Sequence, residues 1–150
     1  MSCHDIGRGI NTIVERIIEL YDEGKYSTET ACDLIATSRK GVHWCDGNED
    51  EAVECIRRCR CGRCLKKMKA REYLFSVCNV SSKVKNVYKI MDIEDNDGDK
   101  LASDKLCEEC FKIVMNKYCD DPTAGEREMK YILENEKEEH YLAEEWEDFE

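Results

Sequence analysis

Apolar residues recur at helical spacing along the first part of the chain. Ile6, Ile10, Ile13, Val14, Ile17 and Tyr21 fall on one face and predict an amphipathic helix over about 6–22. Asp5 stands where a cap belongs, and Gly24 lies just past the last periodic residue. Ser27 marks a second start. From it Ala31, Leu34, Ile35, Ser38 and Val42 form a weaker stripe to about residue 43. The short join between the two predicts an antiparallel helical hairpin.

The polar stretch 45–50, CDGNED, breaks this period, and Asn48 predicts the cap of a short helix through Ala52, Val53, Ile56 and Cys59. Cys61 to Leu65 reads as a tight turn. Residues 72–80 and 84–93 are rich in β-formers and separated by Ser81, Ser82 and Lys83, which predicts a β-hairpin. Helical spacing returns with Phe111, Val114, Met115 and Tyr118, placing a helix over about 108–118. Asp121 and Pro122 suit the cap and first position of a last helix. That helix is expected to carry Met129, Ile132, Leu133, Leu142, Trp146 and Phe149 on an otherwise acidic surface. The predicted fold class is α+β: a helical region 1–58, a lobe 59–119 holding the β-hairpin, and an acidic C-terminal helix 120–150.

Cysteine usage changes the picture. Eleven cysteines in 150 residues imply either disulfides or metal thiolates. The start, MSCHDIGRGI, lacks the basic stretch followed by an apolar run that directs export, and an odd count cannot close into disulfides alone. A reducing, cytoplasmic setting is the expectation. No apolar run approaches the ~20 residues of a membrane-spanning helix.

Two pairs stand out, Cys61 and Cys64 in CGRC, and Cys107 and Cys110 in CEEC at the predicted start of a helix. Zinc takes four soft ligands in a tetrahedron, and a CxxC turn supplies two from one small loop. A helix start favours thiolate over thiol through its unpaired N–H groups and its dipole. Arg60, Arg63, Lys66 and Lys67 would offset the charge of a zinc tetrathiolate. One structural Zn2+ on these four cysteines is therefore expected. The order knuckle, β-hairpin, helix-borne pair resembles the treble-clef zinc fingers over residues 59–119. Two departures are visible: 42 residues separate the pairs, and the knuckle glycine, Gly62, lies inside the first pair instead of after it. Cys3, His4, His43 and Cys45 could meet across the helical hairpin as a second metal site. Cys55 and Cys59 share a helical ligand spacing, and Cys59 could shift the register of the first pair; Cys32, Cys78 and Cys119 read as core or flanking residues.

Charge is unevenly distributed. Residues 120–150 carry thirteen acids and three bases, a net of −10 out of −11 for the whole chain. Residues 54–71 hold eight bases, Arg57, Arg58, Arg60, Arg63, Lys66, Lys67, Lys69 and Arg71, against the single acid Glu54. With Tyr73 and Phe75 nearby for stacking, this segment suits a nucleic-acid surface. The acidic end, with Glu136, Glu138, Glu139, Glu144, Glu145, Glu147 and Asp148 around Trp146 and Phe149, suits a basic protein partner.

Catalytic motifs are missing: there is no HExxH, no GxSxG, and no glycine loop for phosphate among the residues. In the segment DIEDNDGDK, aligning Gly98 with the turn glycine of a calcium loop puts Asp95 and Asp97 at ligand positions but Ile93 at the first, so it reads as a solvated turn. The leading expectation is a non-enzymatic, zinc-stabilised binding protein whose partner is a basic protein that handles nucleic acid. In size and charge alone it resembles small acidic inhibitors such as anti-CRISPR proteins. The alternatives are direct nucleic-acid binding through the basic segment, and a cysteine-based redox or metal-handling protein.

Overall fold

The computed structural model describes residues 3–42, 48–69, 72–85, 87–91, 99–135 and 141–142. Helix α1 spans Cys3–Asp22, so Asp5 lies in its first turn instead of capping it. Its end is closed in a left-handed turn at Gly24, φ +82°. There Lys25 N–H donates to the Leu20 carbonyl at 2.9 Å and Gly24 N–H to the Tyr21 carbonyl at 3.0 Å. Helix α2, Thr28–Arg39, starts on Ser27, whose hydroxyl accepts the Thr30 N–H at 3.1 Å. It runs into a short 3-10 turn at Lys40–Val42.

The helix expected after Asn48 is split in two, α3 at Asn48–Ala52 and α4 at Glu54–Arg57, with Val53 buried at the break. These helices enclose a first core of Val14, Ile17, Ala31, Cys32, Ile35, Val53 and Ile56. The predicted stripes are thus largely those buried, although Ile13 (53% exposed) and Leu34 (38%) face outward.

The β-hairpin is corrected by the structure. Strand β1, Tyr73–Ser76, does form, but residues 84–93 contribute helix α5, Val87–Met91, in place of its partner. Ile90 and Met91 are both buried although adjacent. A helical turn allows that, whereas a strand sends neighbours to opposite faces. The true partner of β1 is β2, Lys105–Cys107, paired antiparallel as Leu74 with Cys107, Phe75 with Leu106 and Ser76 with Lys105. The two strands are 28 residues apart in sequence.

Helix α6, Glu108–Tyr118, follows β2 directly, where the periodicity put it. Asp121 then accepts the Thr123 N–H (2.9 Å) and hydroxyl (2.8 Å), and helix α7 runs Ala124–Asn135. A Cβ on Gly125 would lie 2.6 Å from Lys112 Cα, so α6 and α7 cross at a backbone contact that only glycine permits. A single helix continuing to residue 149 is the second expectation overturned. Tyr141–Leu142 is instead a short strand, β3, on the other side of β1, in the sheet order β2-β1-β3. The sheet, α5, α6 and α7 surround a second core that includes Leu74, Phe75, Val77, Ile90, Leu106, Phe111, Val114, Met115 and Ile132. Among the described residues no helix is long and apolar enough to cross a membrane.

Candidate metal centre

The CGRC turn sits where the two cores meet. Arg60 and Lys67 form an isolated antiparallel bridge beneath it, reinforced by Cys61 N–H to the Lys66 carbonyl (3.0 Å) and Met68 N–H to the Cys59 carbonyl (2.8 Å). Leu65, immediately after the pair, adopts a left-handed conformation with φ +60°. A glycine would suit that backbone better. Leucine is used because its side chain, 1% exposed, plugs into the first core, whereas Cys61 belongs to the second. The glycine inside the pair has its own reason. Gly62 N–H donates to the Lys105 carbonyl and its carbonyl accepts from Ala102 N–H, both at 2.7 Å. Any Cβ there would fall 2.2 Å from the Ser103 carbonyl oxygen. The knuckle is thereby clamped to the 102–105 segment that leads into the second cysteine pair.

Cys107 ends β2 and occupies the N-cap position of α6, and Cys110 lies in that helix's first turn. The clamp and the strand pairing bring all four sulfurs together. The ligand atoms of Cys61, Cys64, Cys107 and Cys110 lie within 4.8 Å of one another. A zinc tetrathiolate with bonds of about 2.3 Å has sulfur–sulfur edges of about 3.8 Å, so only small side-chain adjustments separate this cluster from a filled tetrahedron. Cys61, Cys107 and Cys110 are buried, whereas Cys64 is half-buried beside a cleft of about 600 Å3 that Cys32, Arg63, Asp99 and Leu101 also line.

Electrostatics favours a cation at this point. Arg63 directs its backbone N–H at Cys61 Sγ (3.4 Å) and its guanidinium at Cys110 Sγ (3.7 Å). Donated thiol hydrogens from Cys110 and Cys61, with the Cys110 backbone N–H, hold the Cys107 thiol down at about 2. Cys64 is lowered to about 6, chiefly by Cys61 and also by the Lys66 backbone N–H. Cys61 is raised far above a free thiol, and Cys110 to about 11, because each serves as donor to its neighbours. Four sulfurs this close cannot all ionise unaided. A bound cation is what would let them.

Comparison with protein-family models, with curated proteins and with solved structures finds no match to this chain. The arrangement of residues must carry the functional reading alone.

Cys59 does not enter the cluster; its thiol donates to the Cys55 carbonyl at 3.4 Å. Cys32 is buried and donates to the Arg63 carbonyl at 3.4 Å, tying α2 to the knuckle. Burial raises the Cys32 thiol to about 11 and the Cys55 thiol to about 12, so both stay protonated at neutral pH. Cys78 is exposed and Cys119 half-buried. Of the second metal site expected from the sequence, the side chains of Cys3 and His4 and all of His43 and Cys45 lie outside the described residues. So do His140, the turn with Ile93, Asp95, Asp97 and Gly98, and the residues expected to bind a partner, Glu136, Glu138, Glu139, Glu144, Glu145, Trp146, Glu147, Asp148 and Phe149.

The basic segment divides by residue type. Its arginines mostly face inward. Arg57 donates to Asp104 at 2.9 Å, across the junction of the cores, and Arg60 forks onto Asp22 at 3.1 and 2.8 Å while also reaching the Leu65 carbonyl at 3.0 Å. Burial alone would raise the Asp104 carboxyl, but Arg57 and the Ser76 hydroxyl outweigh it and hold it below the ordinary range. Arg58, by contrast, is exposed and pairs with Glu54 at the surface at 3.6 Å. Lys66, Lys67 and Lys69 are exposed, and Arg71 lies outside the described residues. Phe75, expected as a stacking ring, is a core residue 3% exposed with its ring 5.5 Å from Phe111; Tyr73 remains 38% exposed. The 102–105 clamp and the role of Leu65 had no sequence signal, because neither segment carries a recognisable motif.

Proposed function

We propose that this chain is a zinc-stapled, non-catalytic binding protein, and that its acidic C-terminal region contacts a basic partner protein. The observation that carries the reading is the closed set of four converging sulfurs. An all-thiolate set of this kind suits zinc, which prefers tetrahedral sulfur ligation, and it leaves the ion no position for water or substrate. The metal would therefore act on the fold. The antiparallel pairing of β1 with β2, followed by the cysteine-bearing start of α6, supports a treble-clef-like reading of the centre, with a long insertion between the strands. A reducing, cytoplasmic compartment suits such a thiolate centre.

The partner reading rests on charge. Arg57, Arg60 and Arg63 are engaged with Asp104, Asp22 and Cys110, which leaves the middle of the chain less cationic at its surface than its sequence suggests. Residues 143–150 contain five acids and no base. Inhibition of a nucleic-acid-handling protein by imitation of nucleic-acid charge is the specific form proposed. Direct nucleic-acid binding is the second reading, favoured by the exposed Lys66, Lys67 and Lys69.

The test is a pull-down from the native cell with the full chain and with a chain lacking 143–150, coupled to metal analysis of both. Truncation must stop there, because Ala124, Glu128 and Ile132 of α7 are fully buried. One zinc per chain in both samples, with partner loss only on truncation, is expected. Equal capture by both chains refutes the tail as contact surface, and metal-free folded protein refutes the staple.

A further inference from the structure

The four sulfurs of the centre are not equally accessible. Cys61, Cys107 and Cys110 are buried in the second core, whereas Cys64 is half-buried. Cys64 opens on the cleft of about 600 Å3, which lies between the start of α2 and the 99–101 segment. Contacts outside the sulfur cluster hold its walls. Tyr21 Oη lies 3.2 Å from Thr28 Oγ1 and donates to the Cys64 carbonyl at 3.4 Å. The Cys32 thiol donates to the Arg63 carbonyl at 3.4 Å. The cleft is part of the fold.

Its lining suits a divalent cation. Glu29, Asp33 and Asp99 bring three carboxylates and Cys32 a further sulfur, against the cations of Arg63 and Lys100. Both cations are engaged. Lys100 Nζ stands 3.8 Å from Asp33, and the Arg63 guanidinium is turned to Cys110 Sγ at 3.7 Å. Asp99 accepts from Lys117 Nζ at 3.2 Å through Oδ1, while its Oδ2 is buried and meets no hydrogen-bond donor among the described residues. Leaving such an oxygen unpaired is costly, and a cation passing beside it relieves that cost.

A shell of four thiolates leaves the ion no open position, so exchange begins where a competing ligand can reach a metal–sulfur bond. We infer that the ion enters and leaves the centre through this cleft, and that Cys64 is the sulfur that binds it first and releases it first. On release, the bond from the metal to Cys64 Sγ breaks and a bond from the metal to one donor of the competing ligand replaces it. The freed thiolate takes a proton from water. The three carboxylates raise the local concentration of cations at the mouth and disfavour anionic competitors. The staple is therefore exchangeable with the medium by a single route. This deepens the zinc reading given above and rests on it.

The experiment uses the full-length, zinc-loaded protein. A brief pulse of iodoacetamide is applied while the chelator pyridylazoresorcinol removes zinc, and peptide mass spectrometry locates the label. A freed thiolate reacts and a metal-bound one is protected, so early label on Cys64 is expected to exceed that on each other ligand about fivefold. Exchange of bound zinc with an isotopically enriched zinc salt is read by native mass spectrometry. It is expected to slow about threefold or more at low salt in an E29Q/D33N/D99N variant, with the difference shrinking as salt is added. Neutralising the exposed Glu15, Glu19 and Glu23 of α1 should leave the rate unchanged. Early label spread evenly over the four cysteines, or first on Cys61, Cys107 or Cys110, would overturn the port, as would equal exchange rates in the two variants. Folded protein that holds no zinc and takes up none would sink the staple and the port together, so failure of the port alone is recognisable.

Discussion

Leu65 shows how one residue can serve two structures at once. Its φ of +60° costs a non-glycine residue about 1–2 kcal/mol, yet its side chain is 1% exposed within the N-terminal core. Removing a buried leucine side chain typically costs 2–5 kcal/mol. Burial wins, so Leu65→Gly should destabilise the protein by about 1–3 kcal/mol even though it relieves the backbone. Urea unfolding of the metal-loaded protein checks this; a variant at least as stable as the parent would mean that the knuckle is not anchored through that side chain. The residue's identity was plain in the sequence, but its importance was not. Nothing in the RCGRCLKK spacing distinguishes a left-handed leucine from any other, because the turn is closed by the bridge between Arg60 and Lys67, a pairing the local sequence does not reveal.

At the scale of elements, α7 is held by a buried carboxylate. Glu128 is fully buried and accepts the Ser81 backbone N–H at 2.7 Å, the Ser81 hydroxyl at 2.8 Å and Arg127 Nε at 3.0 Å. Burial would raise its pKa, but Ser81 and Arg127 reverse the sign and lower it. A lowered folded pKa means the stabilisation is present above the unfolded value of about 4.3 and is lost as pH falls through the folded value. Glu128→Gln should therefore cost about 1–3 kcal/mol at neutral pH. Its urea midpoint should also change less than the parent's on acidification below about pH 4. Parallel pH profiles for the two proteins would argue against the clamp. The sequence placed α1, α2 and α6 well, since each carries a long apolar period with a readable start. It misplaced the hairpin and the last helix. Both errors concern pairing over distance: 84–93 has the composition of a strand, but Ile90 and Met91 are needed together in the core, and Tyr141–Leu142 is taken up by the open edge of β1.

At the scale of the molecule, the four-cysteine cluster is the joint between two cores. Cys61, Cys107 and Cys110 belong to one, while Leu65, Cys32 and Ala102 belong to the other. Free energy of ion binding, on the order of 10 kcal/mol for structural zinc in small peptides, is folding free energy when the site does not survive unfolding. Chelation should then lower the melting temperature of both regions together, measured by peptide-resolved hydrogen exchange along a temperature ramp, with α1 and α2 reporting the first core and β1, β2 and α6 the second. N-terminal helices melting at an unchanged temperature would show the cores to be independent.

The sequence by itself determined the α+β class, the helical hairpin with its Ser27 cap and Gly24 terminus, the choice of the four cysteines and the split of charge between middle and end. These are local facts, written in spacing and composition. Tertiary structure alone decided which strand pairs with β1, that Gly62 and Leu65 clamp the knuckle, and that Arg57, Arg60 and Arg63 turn inward while Lys66, Lys67 and Lys69 stay out. Those depend on which surfaces meet after distant segments converge, and burial and desolvation act only once they have met.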